Sequence, residues 1–202
     1  KHRHKNLKFD PHKLTVLIAC YNGADVIAET IRQASRHVPP NQIVIVSDAS
    51  TDNTIEVARK YGARVIQNKR NVNKAFSISF AMKYVKTPYV LIVDDDTLIG
   101  DTFIPTSLLD DGYTAVAFNV MPVENKSLIN KLQVFEYRKS MVLGKELRSR
   151  TGAIGNISGA MGLYHTADLL EQARLHSGQF GGEDEQRTAL THLHGGGRGI
   201  VY

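Results

Sequence analysis

Four short apolar runs, largely β-branched, alternate with helix-period segments through the first half of the chain. That alternation leaves few folds open. Leu14-Thr-Val-Leu-Ile-Ala-Cys20, Ile43–Val46, Val65-Ile66 and Tyr89–Val93 read as strands. Runs apolar at nearly every position suit strands buried on both faces. Val26, Ile27, Thr30, Ile31 and Ala34 recur at helical spacing before Pro39-Pro40. The helix after Thr51-Asp52 is expected to bury Ile55, Ala58 and Tyr61, with Thr51 and Asp52 as caps and Gly62 closing it in a left-handed conformation. A third helix is expected over Lys74–Val85.

Such a pattern predicts an α/β fold with a mostly parallel central sheet flanked by helices. Right-handed crossovers would gather the strand C-terminal ends at one edge, where open α/β sheets bind ligands. The second half is less regular. Tyr113–Val120 reads as a strand, and Leu128, Leu132, Phe135 and Val142 form one stripe of a long helix over residues 125–146. A Gly/Ser-rich segment (Thr151–Gly162), an acidic cluster (Gly182–Glu185), a helix and a last strand at Gly199–Tyr202 follow.

At 202 residues, 42% hydrophobic and 22% charged, the chain is one globular domain and not a disordered segment. A lone cysteine, Cys20, excludes a disulfide-built scaffold. Its apolar runs are too short to cross a bilayer. Of the net charge of +5, most sits in a basic leader, residues 1–13, carrying Lys1, Arg3, Lys5, Lys8 and Lys13 against Asp10. A leader of this kind suits a solvated tail or contact with anionic lipid. No basic stripe with interleaved aromatics points to nucleic acid.

Polar residues cluster where the sheet edge should be: Ala19-Cys-Tyr-Asn-Gly23, Ser47-Asp-Ala-Ser-Thr-Asp-Asn-Thr54 and Asp94-Asp-Asp-Thr97. Three adjacent carboxylates repel, and a divalent cation relieves them. Alternation along an extended chain would set Asp94 and Asp96 on one side to share it; the alternative is an acidic turn capping a helix near Asp101. Asp48 lies directly after its strand, too early to cap the next helix, and can accept a pyrimidine N–H or serve the turn. Lys74 opens a helix, where the macrodipole favours anions; a bound diphosphate would explain it, as would simple exposure. Glu183-Asp184-Glu185 exceeds what helix capping needs, and one of these carboxylates can act as a general base. Cys20, His165, His192 and His194 lack metal-ligand spacing and read as packing or surface residues.

Taken in order, these residues resemble the inverting family 2 glycosyltransferases, from about Leu14 to Tyr202. The resemblance implies the GT-A fold and assigns roles. Ala19, Tyr21 and Asn22 match the first nucleotide-contacting loop, Asp48 the uracil-binding aspartate, Lys74-Ala75 the diphosphate motif, and Asp94-x-Asp96 the D-x-D motif. Asp94 and Asp96 would hold Mg²⁺ or Mn²⁺, with Asp95 beside the donor. Ser158-Gly159-Ala160 and Glu183 match acceptor-side segments, and Asp184 the catalytic base. Asn73 stands where glycine is common, and Tyr164-His165 where an aromatic–arginine pair is common.

The second half is most similar to the membrane polysaccharide synthases of cellulose, chitin, hyaluronan and poly-N-acetylglucosamine type. That implies a catalytic domain over 14–202 whose Q-x-x-R-W region lies beyond the chain, excised from a protein embedded in a membrane and facing the cytoplasm. It further implies a UDP-sugar donor and a saccharide or lipid-linked acceptor. Two alternatives accompany this expectation: a non-processive transferase acting on a lipid or small acceptor, and a non-catalytic sugar-nucleotide-binding module.

Overall fold

The computed structural model describes residues 6–123, 126–140, 157–175, 183–194 and 199–201. Strands β1 (Leu14–Cys20), β2 (Ile43–Ser47), β3 (Arg64–Gln67), β4 (Tyr89–Asp94), β5 (Ala115–Ala117), β6 (Met161–His165) and β7 (Ile200–Val201) form one sheet in the order β3-β2-β1-β4-β6-β5-β7. The pairs β1–β2, β2–β3, β1–β4 and β5–β7 are parallel; β6 runs antiparallel to β4 and β5. The chain winds outward from β1 through β2 and β3, then returns to β1's other side as β4. This reversal opens a crevice beyond the carboxyl ends of β1 and β4.

Helices α1 (Ile27–Ala34), α2 (Thr54–Lys60), α3 (Lys74–Met82) and α4 (Thr106–Asp110) precede α5 (Leu128–Lys139), α6 (Thr166–Leu175) and α7 (Glu183–His194). Alternation along β1 splits the core. Leu14, Val16, Ile18 and Cys20 pack with Ile27 and Ile31 of α1, Ala58 of α2 and Leu108 of α4, whereas Leu17 packs with Ile78 and Met82 of α3 and Leu169 of α6. Gly62 takes φ +81° after α2, as its place predicts.

Several expectations are corrected. Tyr61 is exposed rather than buried, because α2 turns only Thr54 and Ala58 fully inward. Thr51 does not cap α2; Asp52 Oδ1 accepts the Thr54 N–H at 3.0 Å instead. The strand expected over Tyr113–Val120 narrows to Ala115–Ala117. The stripe expected on α5, Leu128, Leu132 and Phe135, is present and faces outward, while Asn130 and Val134 are the buried residues. Val142 and the rest of that helix beyond 140 lie outside the described residues, as do 1–5, 151–156, Gly181-Gly182 and Tyr202. The leader's second half joins the fold: Lys8 N–H donates to Ser107 Oγ and Asp10 N–H to Thr106 Oγ1, each at 2.9 Å.

Candidate active site

The ends of β1, β2 and β4 and the start of α3 enclose a cavity of about 290 Å³ lined by Ala19, Cys20, Tyr21, Asp48, Lys74, Asp94, Asp95 and Asp96. Residues widely spaced in sequence meet there because parallel strands deliver their ends to one edge. Asn22 stands outside the lining. Its Oδ1 accepts the Thr51 N–H (2.8 Å) and its own N–H reaches Ser50 Oγ (3.1 Å). Gly23 N–H to Thr54 Oγ1 (2.9 Å) and Ala24 N–H to Asp52 Oδ2 (3.1 Å) complete a seam between the loops after β1 and β2. Asn22 therefore shapes the cavity from behind.

Asp48 is buried and already employed. Its Oδ1 accepts Asn68 Nδ2 and the Val72 N–H, both at 2.9 Å, and Asn68 Nδ2 also donates to Ser77 Oγ at 2.7 Å. The carboxylate thus ties the loop after β3 to the cavity wall, and its Oδ2, 3.2 Å from the Val72 N–H, retains acceptor capacity. Asp48 therefore lines the cavity, and its side-chain bonds reach the loop after β3 and not its own turn. Asn68 and Ser77 were not foreseen. The available signal was a polar residue directly after the third strand, the one strand end the sequence reading passed over.

Asp94 ends β4, but Asp95 and Asp96 are not extended. Thr97 N–H bonds to Asp94 O at 3.1 Å, closing a turn over Asp95 and Asp96. Strand alternation therefore does not explain their grouping; the turn does. Asp95 packs beside Cys20 and Gly23, and its carbonyl accepts Thr30 Oγ1 (2.6 Å). Burial and the hydrogen bond with Asp95 push the Cys20 thiol well up, so it stays protonated. Burial likewise holds the Asp94 carboxyl above its usual range against the pull of Lys74, with Asp96 and Asp184 adding to the rise.

Lys74 begins α3 behind Asn73, whose φ of +73° explains why glycine would also suit that position, and whose Oδ1 accepts the Phe76 N–H at 3.2 Å. Lys74 Nζ ion-pairs with Asp94 and donates to Gly159 O at 3.1 Å. The same Gly159 donates its N–H to Asp184 Oδ2 at 2.7 Å. One residue's backbone thus holds the lysine on one side and the acidic helix start on the other. A Cβ on Gly159 would run into the Asp184 carboxylate, so only glycine permits this approach. Ser158 Oγ stays local, accepting the Ala160 N–H at 3.4 Å, and Glu183 is the first residue of α7.

Arg187, one turn along α7, is buried with its Nη1 3.8 Å from Asp184 Oδ1 and its guanidinium against Tyr164. Burial pushes the Tyr164 phenol up to about 12. Sequence reasoning missed Arg187, although its i+3 spacing from Asp184 was a signal. His165 is a packing residue, bonded to Tyr113 O (3.0 Å) and edge-on to Tyr89.

Asp184 Oδ1 is buried without a hydrogen-bond partner, and Asp94, held only by Lys74, is desolvated and crowded by Asp96 and Asp184, conditions in which carboxylate oxygens gain from a cation. These carboxylates are hard oxygen donors, which suits Mg²⁺ or Mn²⁺. Among the described residues no three metal-ligating side chains converge into a complete cage, so a cation here would draw the rest of its shell from phosphate and water.

The family model for glycosyl transferase family 2 matches residues 15–170. The poly-β-1,6-N-acetyl-D-glucosamine synthase of Staphylococcus epidermidis is 28% identical over 166 residues, covering 77% of this chain and 40% of the relative. The chain thus spans less than half the length of that protein. A mannosyltransferase from Pyrobaculum calidifontis, solved with GDP-mannose and Mn²⁺, superposes with TM-score 0.71 at 20% identity, covering 98% of this chain and 58% of the other. Glucosyl-3-phosphoglycerate synthase from Mycobacterium tuberculosis, solved with Mn²⁺, UDP and glucosyl-3-phosphoglycerate, gives 0.58 at 16% identity over 94% of this chain and 68% of the other. These likenesses establish the GT-A fold.

Proposed function

This chain belongs to glycosyl transferase family 2 and is a glycosyltransferase, and from that premise we propose that it transfers a sugar from UDP, with inversion and with a divalent cation, to a hydroxyl of a growing polysaccharide. The observation that carries the assignment is the Gly159 backbone, which engages Lys74 through its carbonyl and Asp184 through its N–H. That arrangement puts a cation suited to the donor's diphosphate and a carboxylate suited to the acceptor's proton on either side of one residue.

In this reading Ala19 and Tyr21 line the place of the base, and Asp48 accepts its N–H through Oδ2. Asn22 keeps the two loops in register. Lys74 neutralises the diphosphate, and Asp94 and Asp96, with Asp95 beside them, would hold Mg²⁺ or Mn²⁺, which when bound stabilises charge on the leaving phosphate. Asp184 takes the proton from the acceptor hydroxyl as that oxygen attacks the anomeric carbon from the face opposite UDP. The new C–O bond forms as the bond to the diphosphate breaks, and the configuration inverts. Gly159 and Arg187 fix the Asp184 carboxylate, with Ser158 and Glu183 bordering the acceptor side.

UDP-N-acetylglucosamine is the first donor to try, since a poly-N-acetylglucosamine synthase is similar over three quarters of the chain. Residence of the whole protein at the cytoplasmic face of a membrane belongs to the same proposal; among the described residues no helix is long and apolar enough to cross one. Chain length of the product separates this reading from a single-addition transferase. The test is Asp184→Asn, followed by sugar turnover and by calorimetric titration of UDP in Mn²⁺ and in EDTA. Turnover should fall about 10²–10⁴-fold while Mn²⁺-dependent UDP binding persists. Equal loss of both would remove Asp184 from the role of base, and UDP binding indifferent to EDTA would remove the cation.

A further inference from the structure

Helix α5 presents apolar side chains to solvent. Leu128 is 73% exposed, Ile129 72%, Leu132 58% and Phe135 62%. Val123, 72% exposed, is tied to the same helix through its carbonyl, which accepts Asn130 Nδ2 at 3.0 Å. At 3.6 residues per turn, Leu128, Leu132 and Phe135 fall within an arc of about 60°, on the side away from the buried Asn130 and Val134. Scattered apolar residues on a surface call for no explanation, but a contiguous stripe marks a contact site.

The charges beside the stripe identify the contact. Residues 126–139 contain Lys126, Lys131, Arg138 and Lys139 against the single carboxylate Glu136. Lys139 shares the apolar arc, and Lys131 and Glu136 flank it on opposite sides; the long lysine stems can run along an apolar layer with the ammonium in the headgroups. A second copy of this chain would bring the same cationic face against itself, which like charges oppose. An anionic bilayer offers both things the face lacks, an apolar layer and negative charge above it. At about 18 Å long, α5 is suited to lying in that plane.

We infer that α5 docks the domain on an anionic lipid surface through Leu128, Leu132 and Phe135, with Lys131 and Lys139 in the headgroup layer. This deepens the membrane residence proposed above, and its readout is lipid binding, so it can fail while the sugar-transfer chemistry stands. The chain contains no tryptophan, so Phe135→Trp places a single reporter on the exposed stripe without disturbing the core. With vesicles of phosphatidylcholine and phosphatidylglycerol, its emission should shift to the blue and be quenched by brominated acyl chains. Binding should weaken at least tenfold in pure phosphatidylcholine, in 0.5 M salt, and in Lys131→Glu/Lys139→Glu.

Leu132→Gln, added to the Phe135→Trp variant, should lower binding by a similar factor, with circular dichroism and melting unchanged. The inference falls if the emission does not move, or if it moves equally with neutral vesicles. It also falls if size-exclusion light scattering reveals a dimer that Leu132→Gln dissociates, which would make the stripe an interface between copies.

Discussion

Strand β4 carries an acidic site at each end, and the two are built on opposite principles. At its N-terminal end Asp110 accepts Lys13 Nζ at 2.8 Å and the Tyr89 hydroxyl at 2.6 Å. Those hydrogen bonds, Lys13's foremost, hold its carboxyl below the usual range. At the C-terminal end Asp94 is held above the usual range by burial, with Asp96 and Asp184 crowding it. Each carboxylate faces one lysine, yet only at Asp94 does burial outweigh the lysine's pull.

The backbone repeats the contrast. At the C-terminal edge, Asn22, Ala49 and Asn73 take positive φ without being glycine; Gly62 and Gly112 fill such positions before β3 and β5, and Asn6 in the leader is a further non-glycine case. Three strained residues and a crowded, desolvated carboxylate thus gather where a ligand can relieve them.

The largest effect that would break this contrast comes from Asp94→Asn. Mn²⁺-dependent UDP binding should weaken at least tenfold while Tm stays within a few degrees of the parent, as measured by calorimetry and thermal melting. A protein that instead unfolded would mark Asp94 as structural. In the parent, proton and cation compete for a carboxyl that titrates high, so the cation's contribution to UDP affinity should fall as the solution is acidified.

Asp110→Asn should do the reverse, lowering Tm by a few degrees at pH 7 and leaving UDP affinity unchanged. Because the folded-state pKa of Asp110 lies below its unfolded value near 4, its stabilisation is present above that value. It is lost as pH falls through the folded one. The gap in Tm between parent and variant should therefore close in acid, which a pH series of melts would show.

The smallest effect tests the strain. Asn73→Gly gives up a cap but relieves positive φ, and should change stability by no more than about 0.5 kcal/mol. Asn73→Ala loses the cap and keeps the strain, at a cost of about 1–2 kcal/mol. Denaturant midpoints for the pair would show whether conformation or capping selects asparagine there.

The sheet of the first half was legible because its information is local. Leu14–Cys20, Ile43–Val46 and Tyr89–Val93 are apolar at nearly every position, which only a strand covered on both faces satisfies, and the following polar loops had to meet at one edge. Ala19, Tyr21, Asp48 and the three aspartates could accordingly be placed at one edge from sequence, and the family resemblance added Lys74. Which way each side chain turned was settled by tertiary contacts. The turn after Asp94, the engagement of Asp48 by Asn68 and Val72, and the grip of Gly159 and Arg187 on Asp184 join residues far apart along the chain or pair them through a third group.

The stripe on α5 shows the same limit from the other side. Periodicity reveals that a helix has an apolar face, since spacing along one helix is a local property. Whether that face looks inward or outward depends on which neighbours pack against it. In this protein Asn130 and Val134 hold the inner side, and Leu128, Leu132 and Phe135 are left to meet something else.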